Sequence, residues 1–226
     1  EEALKHVVLD PLDMTRTRGC RSRKEDQAPD EAPYHLTAHI EDDGKPESVH
    51  LKTAISMVHS DRRIVAHQYG GYNLELGSGS SGLSSSVIDM ARISALLTST
   101  NPNNPVLSPS TIDRMLSLAA LATENEAETK DHGYHGFDGV TVDRDANGVR
   151  VSFSASKGGS IQGSRASIRI QKNGLSLLFA YNGNPDDAAT KGSWATRFGD
   201  AAKNVSWGKG DLFPSFGMKP IKQPEF

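Results

Sequence analysis

The chain has 226 residues, 36% of them apolar and 23% charged, with 25 basic residues against 28 acidic ones and a net charge of −3. This is the composition of one or two globular domains, and it gives no electrostatic case for nucleic acid or an anionic lipid surface. The chain has no apolar run of the roughly 18 residues that a membrane-spanning helix needs, no signal-peptide pattern, and a single cysteine, Cys20, which excludes an internal disulfide.

Residues 1–14 read as the end of a helix. Leu4, Val7 and Val8 have helical spacing and Pro11 stops the run. The chain opens on Glu1 and Glu2 rather than methionine, as expected of a sequence whose N-terminal part has been removed. Residues 17–48 are polar and carry Arg16, Arg18, Arg21, Arg23 and Lys24 at their head. They predict a long surface loop with one short strand near Ala38–Glu41, its arginines a solvated face offset by neighbouring acids. Residues 49–67 fit strand or helix, and Tyr69–Leu83, rich in Gly and Ser, fits a loop.

A helix follows. Ser84, Ser85 and Ser86 offer N-cap hydroxyls, and Val87, Met90, Ala91, Ser94 and Leu97 form its stripe, with Asp89 and Arg92 outside it. A second helix starts at Ser108-Pro109, with Ile112, Met115, Leu116 and Ala119 as its apolar side. From about residue 131 the pattern changes to strands near 137–144, 149–156, 164–171 and 175–182, an antiparallel meander. Asn147-Gly148 and Asn173-Gly174 signal tight hairpin turns. The nearly continuous apolar run of the fourth strand predicts cover on both faces. A last helix should begin at Asn184-Pro185 and lie across the sheet on Trp194, Phe198, Ala201, Ala202 and Val205, followed by an irregular tail.

The candidate site lies in SFSASKGGSIQGS, residues 152–164. Val149, Val151, Phe153 and Ala155 alternate with polar residues, so an unbroken strand puts Lys157 on the face of Phe153. The pattern reads as a strand ending in Lys157, a small-residue turn, and a second strand. Gly158 and Gly159 allow close backbone approach, and a cation beside accessible N–H groups suits a carboxylate or a developing oxyanion. A solvated lysine in a glycine turn is the alternative reading of the same residues. Ser154 and Lys157 match Ser-x-x-Lys, but that motif works on a helix. In a strand, positions three apart point to opposite faces, which excludes Ser154 as the nucleophile. His35 with His39, and His132 with His135, have metal-ligand spacings without a third ligand, so neither a metal nor a cofactor is expected.

Several segments resemble one family. LDPLDMTRT, Leu9 to Thr17, is similar to the PLGM-T-T segment of the serine β-lactamase and penicillin-binding-protein superfamily, with Asp13 where glycine is usual. GLSSSVIDMAR, Gly82 to Arg92, resembles the GGL-S-T-DMAR helix start of its class C β-lactamase, D-aminopeptidase and esterase branch. Leu107-Ser108-Pro109 is in place, and Lys157-Gly158-Gly159-Ser160 stands where the family carries Lys-Thr-Gly or His-x-Gly.

The resemblance implies an α+β fold: an antiparallel sheet with packed helices, incomplete, beside part of a helical region. Its divisions would be 1–130 (helical region with long loops), 131–210 (sheet and C-terminal helix) and 211–226 (tail). It implies acyl transfer through a serine ester on a small-molecule or peptide substrate. Lys157 would bind a carboxylate, the Ser160 amide would form part of the oxyanion hole, and Gly158, Gly159 and Gly163 would line the substrate. Gly158 lacks the usual threonine hydroxyl, which favours peptide, ester or amide substrates at least as much as penicillins. The family's Ser-x-x-Lys and Tyr-x-Asn precede the PLGM segment and fall outside this sequence. The resemblance therefore implies the C-terminal part of a longer enzyme, inert alone, that associates with the missing segment or with itself. The alternative is a binding or scaffold module of the same fold.

Overall fold

A computed structural model describes residues 1–35, 53–77, 82–99, 105–116, 136–137, 139–161, 163–182, 197–206, 208 and 210–221. The strand expected near Ala38–Glu41 and the helix start at Asn184 lie outside these residues, as do Ala119 and Trp194. The fold is α+β. Strands β5 (Gly139–Arg144), β6 (Arg150–Ile161), β7 (Ser164–Ile170) and β8 (Ser176–Tyr181) form an antiparallel sheet in the order β5-β6-β7-β8. Two small ribbons stand apart from it: β1 (Arg18–Gly19) with β4 (Leu83–Ser84), and β2 (Thr53–Ile55) with β3 (Ile64–Ala66), which resolves the ambiguous segment as strand.

Both Asn-Gly pairs make hairpins, but with three-residue loops. Gly148 N donates to Asp145 O and Asp145 N to Val149 O. Gly174 N likewise donates to Gln171 O and Gln171 N to Leu175 O. In each loop only the glycine has positive φ, +77° at Gly148 and +83° at Gly174. This is a β-turn closed by a glycine bulge rather than the two-residue turn that Asn-Gly most often forms.

After the short N-terminal helix α1 (Glu2–Leu4), helix α2 (Val87–Thr98) starts where the serines predict, with the Ser86 hydroxyl accepting from Asp89 N at 3.1 Å. Helix α3 (Pro109–Met115) is capped by the Ser108 hydroxyl, which accepts from Thr111 N at 3.1 Å. Together they cover one face of the sheet. Leu97, Ile112 and Leu116 pack there with Phe137, Val140, Phe153, Ala155, Ile168 and Ile170. A second cluster, Leu9, Leu12, Met14 and Leu96, seats the N-terminal turns on α2, and Ile93 and Leu107 border both clusters.

The stripe of α2 differs from its expected one. Asp89 is fully buried and Arg92 is buried, whereas Val87 is 43% exposed. Asp89 Oδ2 accepts from Arg16 N and from Thr17 Oγ1, both at 2.8 Å. The Arg92 guanidinium lies 4.1 Å from the centre of the Phe213 ring and donates to Lys219 O. Each of these two side chains is buried where one of its atoms meets a backbone group of another segment. The arginine run is correspondingly tethered rather than merely solvated. Arg16 donates to Phe216 O at 2.9 Å, Arg18 to Asp30 at 2.5 Å and Arg23 to Val58 O at 2.8 Å. Asp13 adopts φ +57°, the left-handed region that favours glycine, and its carboxylate accepts from Lys219 N at 2.6 Å. The described part of the tail is irregular but for a 3-10 turn at Phe213–Phe216, and it is docked through the buried Met218.

Three sheet expectations change. The register of β5 and β6 shifts at Asp143 and Arg144, so Val151 bulges out 64% exposed. The bulge carries Arg150 to 5.4 Å from the Phe153 ring and 3.2 Å from Asp113 of α3. Strand β8 is half-exposed rather than covered, because it is an edge of the sheet. On the face opposite α2, helical turns over 197–203 touch β8 through Phe198, stacked 6.4 Å from Phe179, and Gly199, beneath Leu177. Ala202 is buried, but Ala201 and Val205 are exposed, so the contact stripe is narrower than expected.

Candidate functional site

Strand β6 does not turn at Lys157. It runs on to Ile161, because Lys157 to Ile161 pair rung by rung with Ile168 back to Ser164. The glycines that suggest a turn are tolerated in the strand by this pairing with β7.

Hydrogen-bond alternation fixes where each backbone group points. Asp145 directs both its N–H and its C=O at β6. Asp143, Thr141 and Gly139 therefore do the same, and their partners Ser152, Ser154 and Ser156 direct theirs at β5. The other side of the sheet agrees. Gln171 addresses β8, so Ile170, Ile168 and Ala166 address β6, where they meet Ala155, Lys157 and Gly159. The backbone groups of Gly158 and Ser160 accordingly point away from β7, toward the side of β5. Strand β5 ends at Gly139, opposite Ser156, and among the described residues no strand takes its place along 157–161.

Side-chain alternation fixes the faces. Lys157 sits across from Ile168, which is buried in the helix-covered core, and Ile168 sits across from Leu178. Lys157 is thus on the face that carries α2 and α3, one row beyond the covered core, and is itself exposed. The next row, Gly159, Ala166 and Ala180, is a low floor, and a Cβ added at Gly159 would meet nothing within 4 Å. Ser154 pairs with Thr141 on the opposite face, so Ser154 and Lys157 do not form a dyad. Gly163 has φ +84°, and its Cβ direction is filled by Tyr34 Cβ at 3.1 Å and the His35 backbone at 3.3 Å. Its missing side chain makes room for another segment of the chain.

The structure therefore brings Lys157, Gly158, Gly159 and Ser160 to one place, a lysine on the helix-side face beside two N–H groups that point away from β7. A carboxylate or oxyanion held there would meet a cation and donors together. Among the described residues no group of three His, Cys, Asp or Glu side chains is arranged to hold a metal. His39, His132 and His135 lie outside the described residues.

What local pattern does not reveal is the segment that abuts the far end of β6. The Tyr34 ring stacks on Tyr69 at 5.7 Å, and its hydroxyl donates to Glu31 at 2.5 Å. Nearby Cys20 is buried. Its burial, with Glu31 and Glu75 adding to it, pushes the thiol up to about 11. Burial and the hydrogen bond to Glu31 raise Tyr34 as well. Both groups are neutral acids whose folded pKa exceeds the unfolded one; the contribution of Cys20 is complete below pH 9 and is lost as pH rises through 11, and that of Tyr34 starts to be lost only above its unfolded value. Urea unfolding should show stability falling between pH 9 and 11, with a shallower slope in Cys20→Ala. An identical slope in the variant would remove Cys20 from the cause.

No family model matches the sequence, and no curated protein does. Among solved structures, the chain is similar to a D-stereospecific amidohydrolase from Streptomyces sp., with 17% identity and a TM-score of 0.49 over 84% of this chain and 46% of that one. The chain thus spans about half the length of that protein.

Proposed function

We propose that this chain carries half of an acyl-transfer site of the β-lactamase and penicillin-binding-protein type. It would be the C-terminal part of a serine hydrolase that cleaves an amide, peptide, ester or β-lactam through an acyl-enzyme. One observation carries the reading. Lys157 lies on the helix-side face beyond the last β5–β6 pair, and the Gly158 and Ser160 backbone groups point away from β7. The sequence segments Leu9–Thr17 and Gly82–Arg92 support it.

Each residue then has a part. A scissile carbonyl lying along the flank of β6 would direct its developing O⁻ at the Ser160 N–H, which needs no reorganisation to receive it. Lys157 would bind a substrate carboxylate and raise the positive potential around the attacking hydroxyl. The floor of Gly159, Ala166 and Ala180 leaves space for the acyl group. The nucleophilic Ser-x-x-Lys would come from outside this sequence, so the chain alone would not turn over.

The test is extension upstream of Glu1 with the chain's own coding sequence, followed by incubation with a fluorescent penicillin or an activated ester. A covalent adduct is expected by mass spectrometry in the extended protein, with its formation reduced about 100-fold or more in Lys157→Ala. An upstream segment without a serine and lysine three apart, together with no adduct, would leave a non-catalytic binding module as the function.

A further inference from the structure

We infer that the outer edge of β8 is a self-association surface, which a second copy of this chain covers by pairing its own β8 antiparallel about a two-fold axis at Leu178. The backbone alternation presents the groups for this. Gln171 N donates to Leu175 O, so Leu175, Leu177, Phe179 and Tyr181 direct their N–H and C=O groups at β7. Those of Ser176, Leu178 and Ala180 then point away from β7, and among the described residues no strand or loop backbone pairs with them. Residues 175–181, LSLLFAY, carry no charge, no proline and no bulge, the devices by which sheet edges are kept apart.

Apolar side chains flank this edge on both faces. On the helix side an open groove of about 340 Å³ runs between β8, the start of α2 and the tail, where Leu212 is 69% exposed and Phe216 47%. On the other face Phe198, half-exposed, stacks on Phe179. The order of the residues selects the occupant. With the axis at Leu178, Leu178 meets Leu178, Ser176 meets Ala180, and Leu177 meets Phe179. All three outward residues of one copy then oppose outward residues of the other and exchange hydrogen bonds with them. A register slipped by one residue sets outward groups against inward ones and loses the ladder. Leu178 of the second copy continues the helix-side row of Ile168 and Leu178 and reaches the groove, while Leu177 and Phe179 pair beside Phe198. None of these pairs buries a charge, whereas a charged partner strand would find no complement here. One edge strand falls short of the roughly 800 Å² that each partner gives to a standard interface, so the dimer is expected to dissociate at micromolar concentration. The association is independent of the acyl-transfer reading.

Sedimentation velocity on the chain as it stands, from about 1 to about 100 μM, should show it pass from monomer to dimer. Ala180→Pro removes an outward N–H from each copy and leaves the bonds to β7 in place. It should weaken the dimer about 100-fold with the far-UV circular dichroism spectrum unchanged. In a Cys20→Ala background, Leu178→Cys should join two chains by a disulfide under mild oxidation, because opposed residues of such a pair have Cα atoms about 5.5 Å apart. Leu177→Cys should not, because its two copies stand two residues out of register. A chain that stays monomeric throughout would overturn the proposal, and slow amide exchange at Leu178 and Ala180 in that monomer would identify the cover as a segment of the same chain. A dimer of unchanged strength in Ala180→Pro, or one that Leu178→Cys does not join, would overturn it as well, by placing the contact elsewhere.

Discussion

Proline at position 160 should silence the site while leaving the fold intact. In the upstream-extended protein, Ser160→Pro is expected to lower the rate of acylation about 100- to 1,000-fold, the effect of losing one oxyanion donor. Proline is tolerated in a sheet only where its missing N–H faces no partner strand. Ser160 meets that condition, because the alternation from Asp145 and from Gln171 directs its backbone away from β7. Gly159 does not, since its backbone addresses Ala166. Gly159→Pro should therefore unfold the hairpin tip and lower the melting temperature, whereas Ser160→Pro should leave it nearly unchanged. Ser160→Ala keeps the N–H and should keep the rate. Full activity in Ser160→Pro would show that neither the amide nor the hydroxyl acts, and loss of activity in Ser160→Ala would show that the hydroxyl matters.

Asp89→Ala should be the most damaging single change to stability outside the apolar core. The carboxylate is fully buried, and its Oδ2 holds both Arg16 N and Thr17 Oγ1. Removing it strands two donors and takes a negative charge from the first turn of α2. The expected cost is about 3 kcal/mol. For a chain of this length that corresponds to a fall in melting temperature of roughly 6–12 °C. Asp89→Asn retains an acceptor oxygen and should cost less than half as much. Because Asp89 ties the segment after Met14 to α2, and Arg92 ties α2 to the tail at Lys219, protease cleavage in the tail should also accelerate in Asp89→Ala. A change of less than about 1 kcal/mol would show that water satisfies those donors as well as the carboxylate does.

The role of Asp89 also shows what the segment GLSSSVIDMAR does in this fold. Its serines, aspartate and arginine are a cap and two tethers, and a structure is held by such groups as firmly as a site is.

Much of the secondary structure was legible because it is governed by neighbours in the chain. Ser86 and Ser108 cap helices wherever those helices pack. Glycine at 148 and 174 supplies a positive φ that most residues resist. The alternation through Phe153 and Ala155 assigns Lys157 to the helix-covered face, since side-chain direction in a strand has period two.

Burial and pairing were not legible, because both depend on partners far away in sequence. Asp89 and Arg92 look like the wet side of α2 until residues 16–17 and 213–219 fold over them. Val151 belongs to the apolar face by count, but a one-residue shift against β5 turns it outward and brings Arg150 in. Lys157-Gly158-Gly159 has the composition of a turn and is strand because β7 pairs with it. The chemistry of residues 157–160 could be read from their kinds. That the N–H groups of Gly158 and Ser160 point away from β7 follows only from how the strands pair.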